Sequence, residues 1–243
     1  MATKCHACPL RRKEIFTPMS EEEVAFMQKF KTGELNVNPG TTLLMEGSNS
    51  PQLFTVLEGM GLRYKTLADG RRQVLNFALP GDFAGLQAGV MGKMQHSMEA
   101  TTRMTLCVFD RASLWSLFRQ RPQRAFDLTW LAAIEEHFLG DSVAALGQMT
   151  AREKVARAFV HVYSRARAVD MARNGHAPLP YTQQDLADAL GLSLVHTNKT
   201  LKTLRERQIA TWREGRLAVN DFDRLCEIAQ VAPDETPQKR PLI

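Results

Sequence analysis

The chain has 243 residues, 44% of them apolar and 23% charged, and a formal net charge of +5. That composition belongs to a folded chain, and the length favours two domains over one. No run approaches the roughly 18–20 apolar residues of a membrane-spanning helix, so no membrane partner is expected.

Charge is unevenly spread. Residues 1–149 carry 16 Lys and Arg against 15 Asp and Glu, whereas residues 150–243 carry 15 against 11. A basic second half points to a polyanionic partner. The opening stretch MATKCHACPLRRKE has no apolar run behind its basic residues, which argues against a secretory leader and for a cytoplasmic location. In that reducing compartment the four cysteines are expected as free thiols, metal ligands or redox centres.

Taken in order, residues 1–19 read as an arm carrying a CxxC, Cys5 to Cys8. Residues 20–120 read as a domain of short strands, with ten glycines between Gly33 and Gly92. Leu62, Tyr64 and Thr66 alternate with Arg63 and Lys65. Asp69-Gly70 supplies a hairpin turn, and Leu75, Phe77 and Leu79 alternate on the return. Such spacing predicts an antiparallel β-roll, jelly-roll-like, rather than βαβ units. After a last strand at Thr105–Phe109, Asp110 is placed to cap a helix holding Leu114, Leu117 and Phe118. Pro122 then opens a long helix, 121–148, with Phe126, Trp130, Ala133, Ile134 and His137 along one apolar face, as a dimer seam requires.

Residues 149–231 read as a winged helix-turn-helix. Thr150 and Glu153 form a capping box ahead of Val155, Phe159, Val162, Tyr163 and Ala166, and 172–180 reads as a loop. Thr182 and Asp185 cap the next helix, Gly191 ends it, and Ser193 caps another. In that last helix Val195, Leu201 and Leu204 are expected inside, with His196, Asn198, Lys199 and Lys202 outside. Two short helices around a glycine turn, the second cationic, form the DNA-reading arrangement. Ile209–Arg213 and Arg216–Val219 make a wing, Asp221 caps a final helix that packs Cys226, and 232–243 reads as a frayed tail. The fold class is therefore α+β: β-roll, long dimerisation helix, winged helix-turn-helix.

At the level of GDFAG (Gly81–Gly85), the long helix and the stretch LADALGLSLVHTNKTLKTL, the chain resembles Crp/Fnr-type transcription regulators from about residue 15 to 230. The resemblance implies a homodimer on a near-palindromic double-stranded site, an effector sensed in the roll or the arm, and contact with RNA polymerase. Cyclic-nucleotide-binding members carry a Glu after the second glycine and an Arg-Ser pair about ten residues on. Here Gly85 is followed by Leu86 and Gln87, and the pair is His96-Ser97. Leu cannot accept a ribose hydroxyl and neutral His is a poor substitute for Arg, which argues against cyclic AMP. The oxygen-sensing branch gathers cysteines around an iron–sulfur cluster. Cys5, Cys8 and Cys107 match in part, so a cluster, another metal or a thiol switch is an open expectation, the basic arm favouring thiolate. Haem at His96 and His137 has little support.

Within the reading unit the resemblance places Ser193, Leu194, Val195, His196 and Lys199 where members contact bases and phosphates. Leu194 and Val195 can touch only thymine methyls, so Asn198 or Lys199 must supply polar readout, and the half-site is expected to differ from the familiar ones. Thr182, Gln183, Lys202, Arg213 and Arg216 are expected at phosphates. An enzyme is not expected, because the roll holds only His96 and the chain has no nucleophile elbow or phosphate loop. The rival is an effector-independent architectural protein with a vestigial roll.

Overall fold

The computed structural model describes residues 2–233 and 238–243. The chain divides into two compact units, the first 1–66, 76–136 and 239–243, the second 67–75 and 137–238.

In the first unit, short 3-10 turns at Cys5–Ala7 and Leu10–Arg12 lead the arm in, and Leu10 and Phe16 are buried. Residues 20–30, expected among the strands, instead form helix α1 (Glu21–Phe30). Ser20 and Glu23 close a full capping box, three glutamates occupy the first turn, and Val24, Met27 and Phe30 face inward. The Ser-x-x-Glu signal was present in the sequence; the glycine-rich stretch that follows masked it.

Strands β1 (Lys31–Val37), β2 (Thr42–Leu44), β3 (Gln52–Glu58), β4 (Gly61–Thr66), β5 (Arg72–Ala78), β6 (Phe83–Ala84), β7 (Ser97–Ala100) and β8 (Met104–Asp110) follow. They build two four-stranded sheets, β1-β8-β3-β6 and β2-β7-β4-β5. The pairings β1/β8, β3/β8, β3/β6, β2/β7 and β4/β7 are antiparallel, as a β-roll requires. One core gathers Leu44, Phe54, Val56, Met98, Met104 and Leu106 from both sheets. A second core joins Met27 and Phe30 of α1 to Leu53, Phe109, Leu114, Leu117, Leu128 and Leu131. Helix α2 (Leu86–Met91) starts at Gly85, whose φ of +97° few residues but glycine adopt. Asp110 accepts from the Ala112 amide and leads into α3 (Leu114–Gln120). Arg121 breaks the helix with an extended φ of −138°, and Pro122 opens the 27-residue α4 (Pro122–Gln148).

The second unit begins within α4. The Thr150–Glu153 capping box opens α5 (Ala151–Ala168), which buries Val155, Phe159, Val162, Tyr163 and Ala166. Part of the predicted 172–180 loop is in fact β9 (His176–Pro178). It adds to the wing strands β10 (Ala210–Arg213) and β11 (Arg216–Val219) in the order β10-β11-β9. Ala177 pairs with Leu217, so this short strand covers the wing's second edge. Helices α6 (Gln183–Leu190), α7 (Leu194–Glu206) and α8 (Phe222–Ala229) complete the unit, and Cys226 is fully buried in α8. The turn 67–75 also belongs here: Arg72 pairs with Asp185 and, at 3.4 Å, with Asp188, both on α6.

The frayed tail expected over 232–243 is corrected for 239–243. Leu242 and Ile243 are buried, and Ile243 joins the second core of the first unit. A short polar, proline-containing segment gave no sign of this, because its burial depends on partners far away in sequence. Residues 234–237 lie outside the described residues.

Candidate nucleic-acid interface and effector site

The reading unit is set by three caps. Thr182 Oγ1 accepts from the Asp185 amide at 3.0 Å, while the Asp185 carboxylate accepts from the Thr182 amide at 2.8 Å. Gly191, at φ +61°, ends α6 by donating its amide to the Ala187 carbonyl. Ser193 Oγ then accepts from the His196 amide at 3.2 Å and starts α7.

The inner face of α7 is Thr197, Thr200 and Leu204, with Leu201 half-buried. The two threonine hydroxyls donate back to the carbonyls of Ser193 and His196 at 3.1 and 2.9 Å, so they are buried without loss of hydrogen bonding. Val195, expected inside, is 80% exposed. It lies one residue past Leu194 at the start of the helix, on the side opposite Leu204. Ser193, Leu194, His196, Asn198, Lys199 and Lys202 are exposed with it. Seven of the eleven residues chosen as DNA contacts thus share the free surface at and beyond the start of one helix.

A cleft of about 450 Å³ runs beside that helix, lined by His196, Lys199, Thr200 and Thr203 of α7 and by Thr150, Ala151 and Arg152 at the start of α5. Sequence reasoning missed Thr150–Arg152. Their capping box marked a helix start, but nothing local told that this start lies against α7. Arg152 and Lys199 make the cleft cationic, suited to a phosphate.

Thr182 and Gln183 are exposed, although the Thr182 hydroxyl is also bonded to Asp185 at 2.7 Å. Lys202 stands 3.7 Å from Glu206, an exposed pair that a phosphate can displace. In the wing, Arg213 and Arg216 are cross-strand partners, both exposed, joined by Glu214-Gly215 at φ +50° and +71°. Like charges facing each other across a hairpin are unfavourable alone, and a polyanion relieves them. The Trp212 indole donates to the Leu179 carbonyl at 2.9 Å and fixes the wing's base.

In the first unit the expected effector residues occupy different settings. Leu86, in the first turn of α2, packs against the second core, and Gln87 accepts from the Gln95 amide at 3.1 Å. Ser97 Oγ accepts from the Glu46 amide at 3.0 Å. His96 is buried, and burial together with the nearby Arg63 guanidinium pushes its pKa down to about 4, against a weaker pull from Glu46. Arg63, predicted on the outer face of β4, is only 9% exposed. It is held by Glu135 of α4 at 3.0 Å, and Asn76 donates to the same carboxylate at 3.4 Å. An alternation pattern places charged residues outside by default; only a distant carboxylate makes an inward arginine tolerable.

The arm is tied to β1 and α1. Lys31 Nζ donates to the Thr3 carbonyl and to Glu34, each at 2.7 Å, and the Cys5 amide donates to Gln28 at 2.7 Å. Cys107, on β8, sits opposite Glu34 of β1. Burial pushes the Cys107 thiol up to about 11 and raises that of Cys5, although Lys31 lies beside both. The expectation that the basic arm favours thiolate is therefore corrected for these two: desolvation outweighs the cations. Among the described residues, no group of three or more His, Cys, Asp or Glu side chains is arranged to hold a metal ion. The residues Cys5, Cys8 and Cys107 do not fit an iron–sulfur cluster or another metal in this arrangement.

The family model of the cyclic nucleotide-binding domain matches residues 34–121, and that of the Crp-like helix-turn-helix domain matches 153–228. The nitrogen fixation regulation protein FixK of Bradyrhizobium diazoefficiens is 30% identical over 225 residues, 93% of each chain. The chain belongs to the Crp/Fnr family of transcription regulators. The transcriptional activator protein FnrL of Cereibacter sphaeroides is also 30% identical, over 93% of this chain and 92% of that one. The solved structure of FixK2 from Bradyrhizobium japonicum matches with a TM-score of 0.74 and 28% identity, covering 82% of this chain and 98% of that one. Crp/Fnr membership makes the protein a DNA-binding regulator and not an enzyme. Among the described residues, no helix is long and apolar enough to cross a membrane.

Proposed function

We propose that this Crp/Fnr regulator acts in the cytoplasm as a homodimer on a near-palindromic DNA site, with α7 in the major groove, and contacts RNA polymerase there. The observation that carries the reading is the exposed row Leu194, Val195, His196, Asn198 and Lys199, displayed by a helix capped at Ser193 and free of side-chain partners inside its own unit. Asn198 and Lys199 suit the adenine and guanine edges, while Leu194 and Val195 suit thymine methyls. Thr182, Gln183, Lys202, Arg213, Arg216 and the missed Arg152 serve phosphates. The dimer reading is supported by α4: Phe126, at 62% exposure, with Ala133, Ile134 and His137 exposed and Trp130 half-buried. Val143, further along, is 69% exposed. Apolar side chains in such a row want a partner helix.

Cyclic AMP is not the effector in this reading. Leu86 faces apolar packing, His96 is neutral at physiological pH, and the Arg63 guanidinium is bound by Glu135. The same filling supports the second reading, a regulator that needs no small molecule in its roll. Selection of bound duplexes from a random library tests the DNA claim, and enrichment of an inverted repeat with an unfamiliar half-site is the expected result. Affinity for that site, measured with and without 1 mM cyclic AMP, separates the two effector readings from a cyclic-AMP switch.

A further inference from the structure

The segment Lys239–Ile243 lies outside both family matches, which end at residues 121 and 228, yet it is built into the first unit. It engages at three points. Its backbone adds as a parallel strand to the arm: the Arg240 amide donates to the Ile15 carbonyl at 2.8 Å, and the Thr17 amide donates to the Arg240 carbonyl at 2.9 Å. The Arg240 guanidinium binds Asp82 of the GDFAG turn at 3.0 Å, and that carboxylate is only 5% exposed. The buried Thr55 hydroxyl donates to the Ile243 carbonyl at 2.6 Å, while the Ile243 side chain enters the core with Met27, Phe30, Leu117 and Leu131.

The groove is shaped for an occupant. Phe16 forms one wall, packed so closely on Gly81 that a Cβ there would stand 2.2 Å from its ring. Asp82 is a nearly buried anion. Its second oxygen accepts from the Leu79 amide at 2.9 Å, leaving the first aimed at whatever cation fills the groove. Thr55 is 2% exposed and its hydroxyl needs an acceptor. Backbone pairing, one charge-assisted contact and one apolar anchor are the elements of peptide recognition by strand addition.

We propose that this groove is a peptide-binding site of the sensory unit, and that Lys239–Ile243 is its resident ligand. The chemistry it takes is an extended segment of the type Arg-Pro-Leu-Ile: a cation for Asp82, a strand for Ile15–Thr17, and a branched apolar side chain three residues on. Tethering gives the resident segment an effective concentration in the millimolar range, so a free peptide competes poorly with it in the intact chain. Removing the tether exposes the site to titration.

The test uses the chain shortened after Gln238 and a synthetic Lys-Arg-Pro-Leu-Ile peptide, with binding read by calorimetry and by thermal shift. Saturable binding that raises the melting temperature towards that of the full chain is expected. Replacing the peptide's arginine by alanine weakens binding about tenfold, the worth of a charge-assisted bond. Replacing its isoleucine by aspartate abolishes it. No binding up to 5 mM, or equal binding of a scrambled peptide, overturns the proposal. Should the shortened chain fail to fold, hydrogen exchange of the full chain decides. Slow exchange at the Arg240 and Thr17 amides that is lost in Ile243→Asp supports the site; fast exchange at both in the unaltered chain overturns it.

Discussion

Acid should destabilise the first unit through His96, and the structure sets the size of the effect. An unfolded imidazole titrates near 6.5. In the fold, burial and Arg63 push His96 down to about 4. A depressed value means that the folded chain holds the ring neutral while the unfolded chain takes up the proton first. The contribution to stability is therefore complete above pH 6.5, falls as the pH drops, and stops falling below about 4. The whole gap corresponds to about 3 kcal/mol, of which about 2 kcal/mol is lost by pH 5. Urea unfolding at pH 7.5 and 5.0 measures it. Trp115 and Trp130 fluorescence report the first unit when both proteins carry Trp212→Phe. The chain with His96 should lose about 2 kcal/mol more than His96→Gln between those pH values. Equal losses would show that His96 is solvated, and the reading of a filled effector position would go with it.

Other expectations follow from the second unit and the long helix. Ser193→Ala removes the cap of α7 and should lower the stability of the reading unit by about 1 kcal/mol in thermal unfolding. Lys199→Ala and Arg152→Ala should each flatten the dependence of log K on log salt by about 0.9, with Arg152→Ala leaving sequence preference unchanged. Phe126→Asp places a charge in the exposed row of α4, and light scattering should then report a monomer at concentrations where the unaltered chain is a dimer. Arg72→Met strips the partner from Asp185, whose side chain is only 9% exposed, and should cost about 1–3 kcal/mol in urea unfolding.

Much of the fold was legible because its signals are local. Capping boxes at Thr150 and Thr182, the left-handed Gly191, the Asp69-Gly70 turn and the Pro122 opening are each written within a few residues. Helix α1 was legible too, through Ser20 and Glu23, but stood next to a glycine-rich stretch that suggested strands. Strand β9 and the docked Ile243 were not legible, since three residues and a tail acquire structure only from distant partners. In the reading unit, helical spacing alone did not orient Val195. The inner face turned out to be threonines, which a polar-versus-apolar pattern places outside although their hydroxyls bond back to the helix. At the effector position the sequence said what is missing, a Glu and an Arg. It did not say what replaces them, because the Arg63–Glu135 pair joins residues 72 apart.

The most direct test of the central claim is the specificity ratio of the purified protein by fluorescence anisotropy. It compares the selected inverted repeat with a scrambled duplex at one fixed salt concentration, for the unaltered chain and for Asn198→Ala. A reader of base edges through α7 should prefer the selected site by about a thousandfold or more, and Asn198→Ala should remove about 1–3 kcal/mol of that preference. Equal affinity for both duplexes, or a ratio untouched by Asn198→Ala, would contradict the assignment of α7 as the reading helix.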